Sequence, residues 1–390
     1  MTFEELFSKR VSRIFWSPIE LISTHIKKRE GIINFASGLP DPRRIPYDII
    51  HGIIYEVYEK YPKEVLSYPS ALGIETLRKN IPKFLKEVGV SSEGKDVVIT
   101  CGAQHSVTSI ARTFLDENDM YAVENPTFVE TFLALRFYSE NYFPIPINID
   151  SRFDIETLEN LLKKIRIKLL YTVPTAQNPT GVTYSDDVRK HIATLSEEHK
   201  FIVIEDDPYR FLVEKPPKPI SDYTRYGIYV GSFSKIIAPG LRVGFILVPK
   251  DIVEDFAKIM QLDFATHPIS MYVISTMIER GILQSLVKRL RVHYYHKLKV
   301  ALNALEDYMP DVCQWSKPQG SFHIFVKAKG INAKQLLEKA LKRGVSFIPG
   351  DAFYINNPDT SSFRISISYP PEEEIEKGIR ILANLIKDLI

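Results

Sequence analysis

Cysteine is nearly absent: Cys101 and Cys313 are the only two in 390 residues. Two so far apart form neither a disulfide framework nor a zinc quartet, and they suit a reducing compartment. An excess of one charge is lacking too. The formal net charge is +2, with Lys and Arg scattered among acids, so no basic field points to nucleic acid or anionic lipid. No apolar run approaches the roughly 20 residues that span a bilayer. Glu4 and Glu5 stand where a secretory leader would be basic and then apolar. No repeat of fixed period, low-complexity tract, Walker loop, dinucleotide fingerprint or His-Glu-x-x-His pattern occurs. His293 and His296 lie one helical turn apart but have no acidic or thiol ligand set nearby, and they read as a packed helix face, not a metal site. A soluble cytoplasmic protein with no metal, membrane or nucleic-acid partner is the expectation.

What is present is α/β texture. Short apolar runs alternate with amphipathic stretches: Val97–Thr100, Tyr121–Val123, Lys168–Thr172, Phe201–Ile204, Gly227–Val230 and Phe245–Val248. Runs apolar on both faces suit strands between helix layers, so a mostly parallel sheet is expected. Ser185 to Lys200 reads as a helix opened by Ser-Asp-Asp. Beyond about residue 275 the texture changes. A long helix over Ser270 to Met309 is expected, then a strand over Ser321 to Val326 and a helix over Ala333 to Arg343. A strand over Phe363 to Ser368 and a final helix from Glu372 follow. The expected division is a large domain over 46–274 and a smaller α+β domain from 1–45 and 275–390.

Ligands of open α/β sheets bind beyond the carboxyl ends of the strands, and four such ends carry unusual polar groups. Thr100-Cys101-Gly102-Ala103-Gln104 opens a helix whose free N–H groups could seat a phosphate. Pro174-Thr175-Ala176-Gln177-Asn178-Pro179-Thr180-Gly181 fixes the direction of the Asn178 amide. Glu205-Asp206-Asp207-Pro208-Tyr209 puts acids at the end of a buried strand, which is costly unless they have partners. Gly231-Ser232-Phe233-Ser234-Lys235, followed by Arg242, sets a lysine between serines and an arginine. Each alone also reads as a turn, a cap or a snorkelling surface lysine. Together they supply an amine, an acid, a hydrogen-bond donor and an anion seat.

These motifs resemble those of the fold-type I, pyridoxal 5′-phosphate (PLP)-dependent aminotransferases of classes I and II. The similarity is greatest to the α-aminoadipate and kynurenine branch, and it runs from Ser37-Gly38-Leu39-Pro40-Asp41-Pro42 to Arg364. The resemblance implies a large domain with a mostly parallel seven-stranded sheet and a smaller α+β domain. It implies that Lys235 holds PLP as an internal aldimine and then serves as general acid and base. Asp206 would pair with the pyridine nitrogen, and Asn178 and Tyr209 would bond the ring 3-oxygen. Ala103, Gln104, Ser232, Ser234 and Arg242 would hold the phosphate, and Phe128 would stack on the ring. Tyr68 would reach the phosphate of a neighbouring subunit, implying a homodimer with shared active sites. Arg364 would clamp the substrate α-carboxylate, with Asn178 and Gly38 beside it. Ala103 stands where many relatives have Ser, so the phosphate contact there would run through the backbone.

The implied reaction moves an amino group from an aromatic, branched or aminoadipate-like amino acid to a 2-oxo acid, 2-oxoglutarate being expected. Arg43 and Arg44 would either receive an acidic side chain or lie in a solvated loop. Two rival functions share the fold. One is other PLP chemistry, such as a lyase or decarboxylase. The other is a non-enzymatic regulator, disfavoured because only about 30 residues precede Ile32-Ile33-Asn34-Phe35, too few for a winged helix.

Overall fold

The six apolar runs all become strands of one sheet in a computed structural model, which describes residues 2–27, 31–150, 152–263 and 266–390. The order across it is Lys95–Thr100, Gly244–Pro249, Gly227–Ser232, Ile202–Asp206, Leu169–Thr172, Tyr121–Asn125 and Tyr142–Asn148, with a two-residue extension at Arg152–Phe153. Neighbours within the seven run parallel, except that Gly244–Pro249 is antiparallel to both of its own. Every residue of Leu169–Thr172 and Gly227–Ser232 is buried, as double-sided burial requires. Alternation shows how the two faces are used. Val97 and Ile99 pack with Leu77 and Ile81, whereas Val98 packs with Val107 and Ile110.

Tyr142–Asn148 was not visible as a strand because Pro144 and Pro146 interrupt its apolar pattern. It lies towards the sheet edge, where a missing N–H is tolerated. The expected helix over Ser270 to Met309 is two helices, Pro268–Glu279 and Ile282–Tyr308. Between them Gly281 adopts φ +67°, a left-handed conformation that ends one helix and lets the next begin at a new angle. The other late elements fall close to expectation, at His323–Ala328, Ala333–Lys342, Ser362–Ser366 and Glu372–Lys387.

A second, antiparallel sheet has the order Cys313–Trp315, His323–Ala328, Ser362–Ser366 and Ile348–Pro349. The N-terminal segment joins this region through a parallel pairing of Ile33–Asn34 with Val345–Ser346. That pairing, continued by Phe35 N–H donating to Ser346 O (3.0 Å), carries the chain on to Gly38 and Leu39. No helix among the described residues is long and apolar enough to cross a membrane.

One close approach links the sheet to the first strand-end motif. A Cβ on Gly244 would stand 2.7 to 3.0 Å from the backbone of Gly102 and Ala103. Gly244→Ala must therefore displace the turn that opens the helix Ala103–Phe114. The expected outcome is a loss of about 1–3 kcal/mol, read as a midpoint shift in urea unfolding of the apoenzyme. An unchanged midpoint would show that this contact is not a constraint.

Candidate active site

Three consecutive acids end the strand Ile202–Asp206, and they have different surroundings. Glu205 is fully buried and accepts from Arg189 Nη1 (3.2 Å), Ile220 N–H (3.0 Å) and Ser221 N–H (2.9 Å). Asp207 accepts from Arg210 Nη1 (3.3 Å). Asp206, on the opposite face of the strand from Glu205, lines a cavity of about 800 Å³. Its Oδ2 accepts from Tyr171 Oη (2.9 Å), while Oδ1 is buried with no partner among the described residues. Burial pushes the Asp206 carboxyl up to about 7, against the lowering effect of the Tyr171 bond. A cation beside Oδ1 would offset that desolvation.

Lys235 enters the same cavity from the turn after Gly227–Ser232. Its Nζ donates to Gly38 O (3.0 Å) and lies 5.9 Å from the centre of the Tyr209 ring. Burial first, and then the Arg364 charge, bring its ammonium down to about 8, so a free amine is available near neutral pH. Arg364, on Ser362–Ser366, is buried and donates through Nη1 to Asn178 Oδ1 (2.9 Å) and through Nη2 to Ala36 O (2.6 Å). The face of Phe353 supports it at 4.9 Å. Desolvation lowers even this guanidinium to about 10.

The loop bearing Asn178 is fixed from below by Glu124. That carboxylate accepts from Val173 N–H (2.8 Å) and Gln177 Nε2 (3.1 Å), and also from Thr172 and Tyr184. Gln177 Oε1 in turn accepts from Thr180 N–H (2.8 Å). At the opposite wall the helix Ala103–Phe114 begins after Gly102, whose φ of +83° suits glycine. Arg242 Nη2 donates to Cys101 O (2.9 Å), and Ser234 N–H to Ser232 Oγ (3.2 Å). Helix N–H groups, two serines and an arginine thus share one end of the cavity, as an anion seat needs.

The cavity wall contains Gly38, Ala103, Gln104, Phe128, Asn178, Asp206, Tyr209, Ser232, Ser234, Lys235, Arg242 and Arg364. Tyr68 alone of the expected site residues is not in it, and its side chain is 84% exposed. Arg43 and Arg44 line a separate cavity of about 590 Å³. Arg43 is held there by Asp41, through Nε and Nη2 at 2.8 Å each. His293 Nε2 meets the same Asp41 (3.2 Å), and His296 meets Glu372 (2.8 Å). The sequence did not single out Tyr171, Glu130, Glu124 or His323. In sequence, Tyr171 looks like any apolar strand residue, and Glu130 looks like a charge in a first helical turn.

The donor set fits PLP. An amine, a buried carboxylate oxygen without a partner and an anion seat open onto one volume, with the Phe128 ring beside them.

Comparison with known proteins agrees. The family model of aminotransferase class I and II matches residues 31–382. An aromatic-amino-acid aminotransferase of Thermococcus litoralis is 33% identical over 402 residues, covering 100% of this chain and 95% of the relative. A kynurenine aminotransferase of Pyrococcus horikoshii, solved in complex with PMP, matches the fold with a TM-score of 0.93. That pair is 36% identical over 99% of this chain and 98% of the other. LysN, an α-aminoadipate aminotransferase of Thermus thermophilus, gives a TM-score of 0.90 at 28% identity, covering 100% and 99%. The chain belongs to the class I and II aminotransferases, PLP-dependent transaminases of fold type I.

Proposed function

We propose that Lys235 is the catalytic residue of this transaminase and that its donors carry aromatic or branched, uncharged side chains. The composition of the cavity wall supports the donor class. Arg364, Lys235 and Arg242 are its only Lys or Arg residues among those described. If they serve the α-carboxylate, the cofactor aldehyde and the phosphate, no cation among the described wall residues is left for a side-chain carboxylate. Ile19, Ile26, Ile32 and Leu39 line much of the remainder, with Ser23, Asn34, Ser37 and Tyr369 among them, and Glu20 and Glu130 add carboxylates. An aminoadipate-like donor meets this wall less well than an aromatic one. The expected acceptor, 2-oxoglutarate, would share the Arg364 and Lys235 contacts, but its second carboxylate meets the same wall. A short neutral 2-oxo acid is therefore the second reading.

When bound, the cofactor supplies an aldehyde carbon for amine exchange and a cationic ring that withdraws electrons from Cα. The protein's residues do the rest. Asp206 Oδ1 would hold the pyridine N–H and keep it charged. Arg364 holds the α-carboxylate with a planar fork, which fixes the direction of the Cα–H bond. Lys235 Nζ, within reach of the same volume, would serve as the base that takes the proton from Cα and as the acid that returns it. Gly38 O, its present partner, keeps Nζ within the cavity. Asn178 positions Arg364, and with Tyr209 it would hold the ring 3-oxygen. We also propose a homodimer in which Tyr68, exposed and outside its own cavity, serves the phosphate of the second copy.

Lys235→Ala should lower turnover by at least about 10³-fold while the protein still folds and takes up PLP noncovalently. Steady-state activity near wild type would remove Lys235 from the chemistry. Only the unprotonated amine is a nucleophile, so cofactor uptake by the apoenzyme should rise as pH increases through about 8 and level off above it. Stopped-flow absorbance measures this, and a rate falling with pH contradicts it. Arg364→Lys should cut kcat/KM for amino acids by about 10²-fold with the cofactor spectrum unchanged. A panel of donors and acceptors should rank aromatic and branched donors above acidic ones. Turnover with no acceptor at all would point to a lyase or decarboxylase instead.

A further inference from the structure

Behind Tyr209 stands a buried histidine. His323 opens the strand His323–Ala328, is 1% exposed and is not part of the cavity wall. Its Nε2 lies 3.1 Å from Tyr209 Oη, and the two rings meet edge to face with centroids 5.4 Å apart. The other ring nitrogen, Nδ1, has no partner among the described residues. Burial, and then the charges of Arg364 and Lys235 that face this imidazole, hold its pKa well below the usual histidine range. Tyr209 itself feels burial first, then the charges of Arg364, Asp206 and Glu130, and a side-chain hydrogen bond with Asn178.

A neutral imidazole carries one N–H and one acceptor nitrogen. With the proton on Nδ1, a buried N–H would be left unpaired, while Nε2 would take the Tyr209 proton. With the proton on Nε2, the unpaired atom is an acceptor, which folded proteins tolerate more readily than an orphaned N–H. The second tautomer makes Nε2–H the donor and Tyr209 Oη the acceptor. Tyr209 then keeps its own O–H for a partner on the cavity side. Linked donors of this kind polarise one another, by roughly 10–30% per bond.

We infer that His323 is a positioning residue for transamination: its Nε2–H donates to Tyr209 Oη, turning the Tyr209 proton towards the cavity and strengthening it as a donor to the 3-oxygen of the cofactor. This rests on the reading that Tyr209 faces that oxygen. A donor on the 3-oxygen draws off negative charge that otherwise favours protonation of the nitrogen through which Lys235 holds the cofactor. The better the donor, the lower the pH at which that nitrogen loses its proton.

The test is the pH titration of the holoenzyme's visible absorbance. His323→Phe should move the midpoint up by roughly half a pH unit. His323→Leu removes the same nitrogen at smaller volume and serves if the Phe ring does not fit. His323→Gln retains an amide N–H and should return the midpoint towards wild type. Tyr209→Phe should raise the midpoint further, and His323→Phe should add nothing in that background. A purely structural role would lower the melting temperature of the apoenzyme and leave the midpoint in place. If Tyr209→Phe moves the midpoint but the Phe and Leu variants of His323 do not, the inference fails and Tyr209's role stands. If Gln behaves as Phe does, or the two substitutions add, the hydrogen bond is not the cause and the inference also fails. If Tyr209→Phe leaves the midpoint unchanged, the reading of Tyr209 itself falls.

Discussion

Asp206 is a carboxylate taken out of water with one oxygen unpaired, and the rest of the site is arranged around that cost. Its two acidic neighbours face counter-charges inside the protein, Glu205 with Arg189 and two backbone N–H groups, Asp207 with Arg210 through Oδ2, its Oδ1 having no partner among the described residues. Strand alternation sends Asp206 alone to the cavity. Burying an ionised carboxylate without a counter-charge is unfavourable by several kcal/mol, and burial pushes this carboxyl up to about 7 despite the Tyr171 bond. A cationic ring nitrogen is a partner that makes the burial favourable. The cost of burying Asp206 and the affinity for the cofactor thus have one physical origin.

The same desolvation acts on the other charges. Lys235 and Arg364 are both lowered, first by burial and, for Lys235, next by the Arg364 charge. For the lysine this yields a nucleophilic amine close to neutral pH. For the arginine the shift leaves it charged across the working range, and Asn178, Ala36 O and the Phe353 ring set the plane of its fork for the carboxylate it is proposed to hold. Preformed orientation of this kind removes reorganisation from the reaction step. The supports come from distant parts of the chain. Asn178 follows a strand of the large sheet, Arg364 lies on the second sheet, and Ala36 belongs to the N-terminal segment that pairs with Val345–Ser346.

Much of this was legible in the sequence because the chemistry sits at strand ends. Where an apolar run stops, a Lys, Asp or Asn is conspicuous, and Lys235, Asp206 and Asn178 stood out for that reason. Tyr171 and Glu124 did not, because they lie within strands, where a tyrosine reads as core and one acid as an irregularity. Their roles depend on which residue lies across the sheet, which no local pattern contains. His323 follows an aromatic in a run that reads as a strand, and its partner Tyr209 is 114 positions away. The break at Gly281 and the proline-bearing strand Tyr142–Asn148 were missed for a different reason. In the first, the helical period continues across a single glycine. In the second, an edge position permits residues that a central strand would exclude.

The account depends on Lys235 being the amine that takes the cofactor. Among the described residues one other buried lysine has a similarly lowered ammonium: Lys297, also brought to about 8 by burial, which donates to Ser368 O outside the cavity. A low pKa alone therefore does not choose between them, and position in the cavity does. Borohydride reduction of the holoenzyme, followed by peptide mass mapping, measures the choice directly. The cofactor mass should appear on the peptide containing Lys235 and on no other. Its appearance on Lys297 or any further lysine would contradict the assignment from which every other role follows.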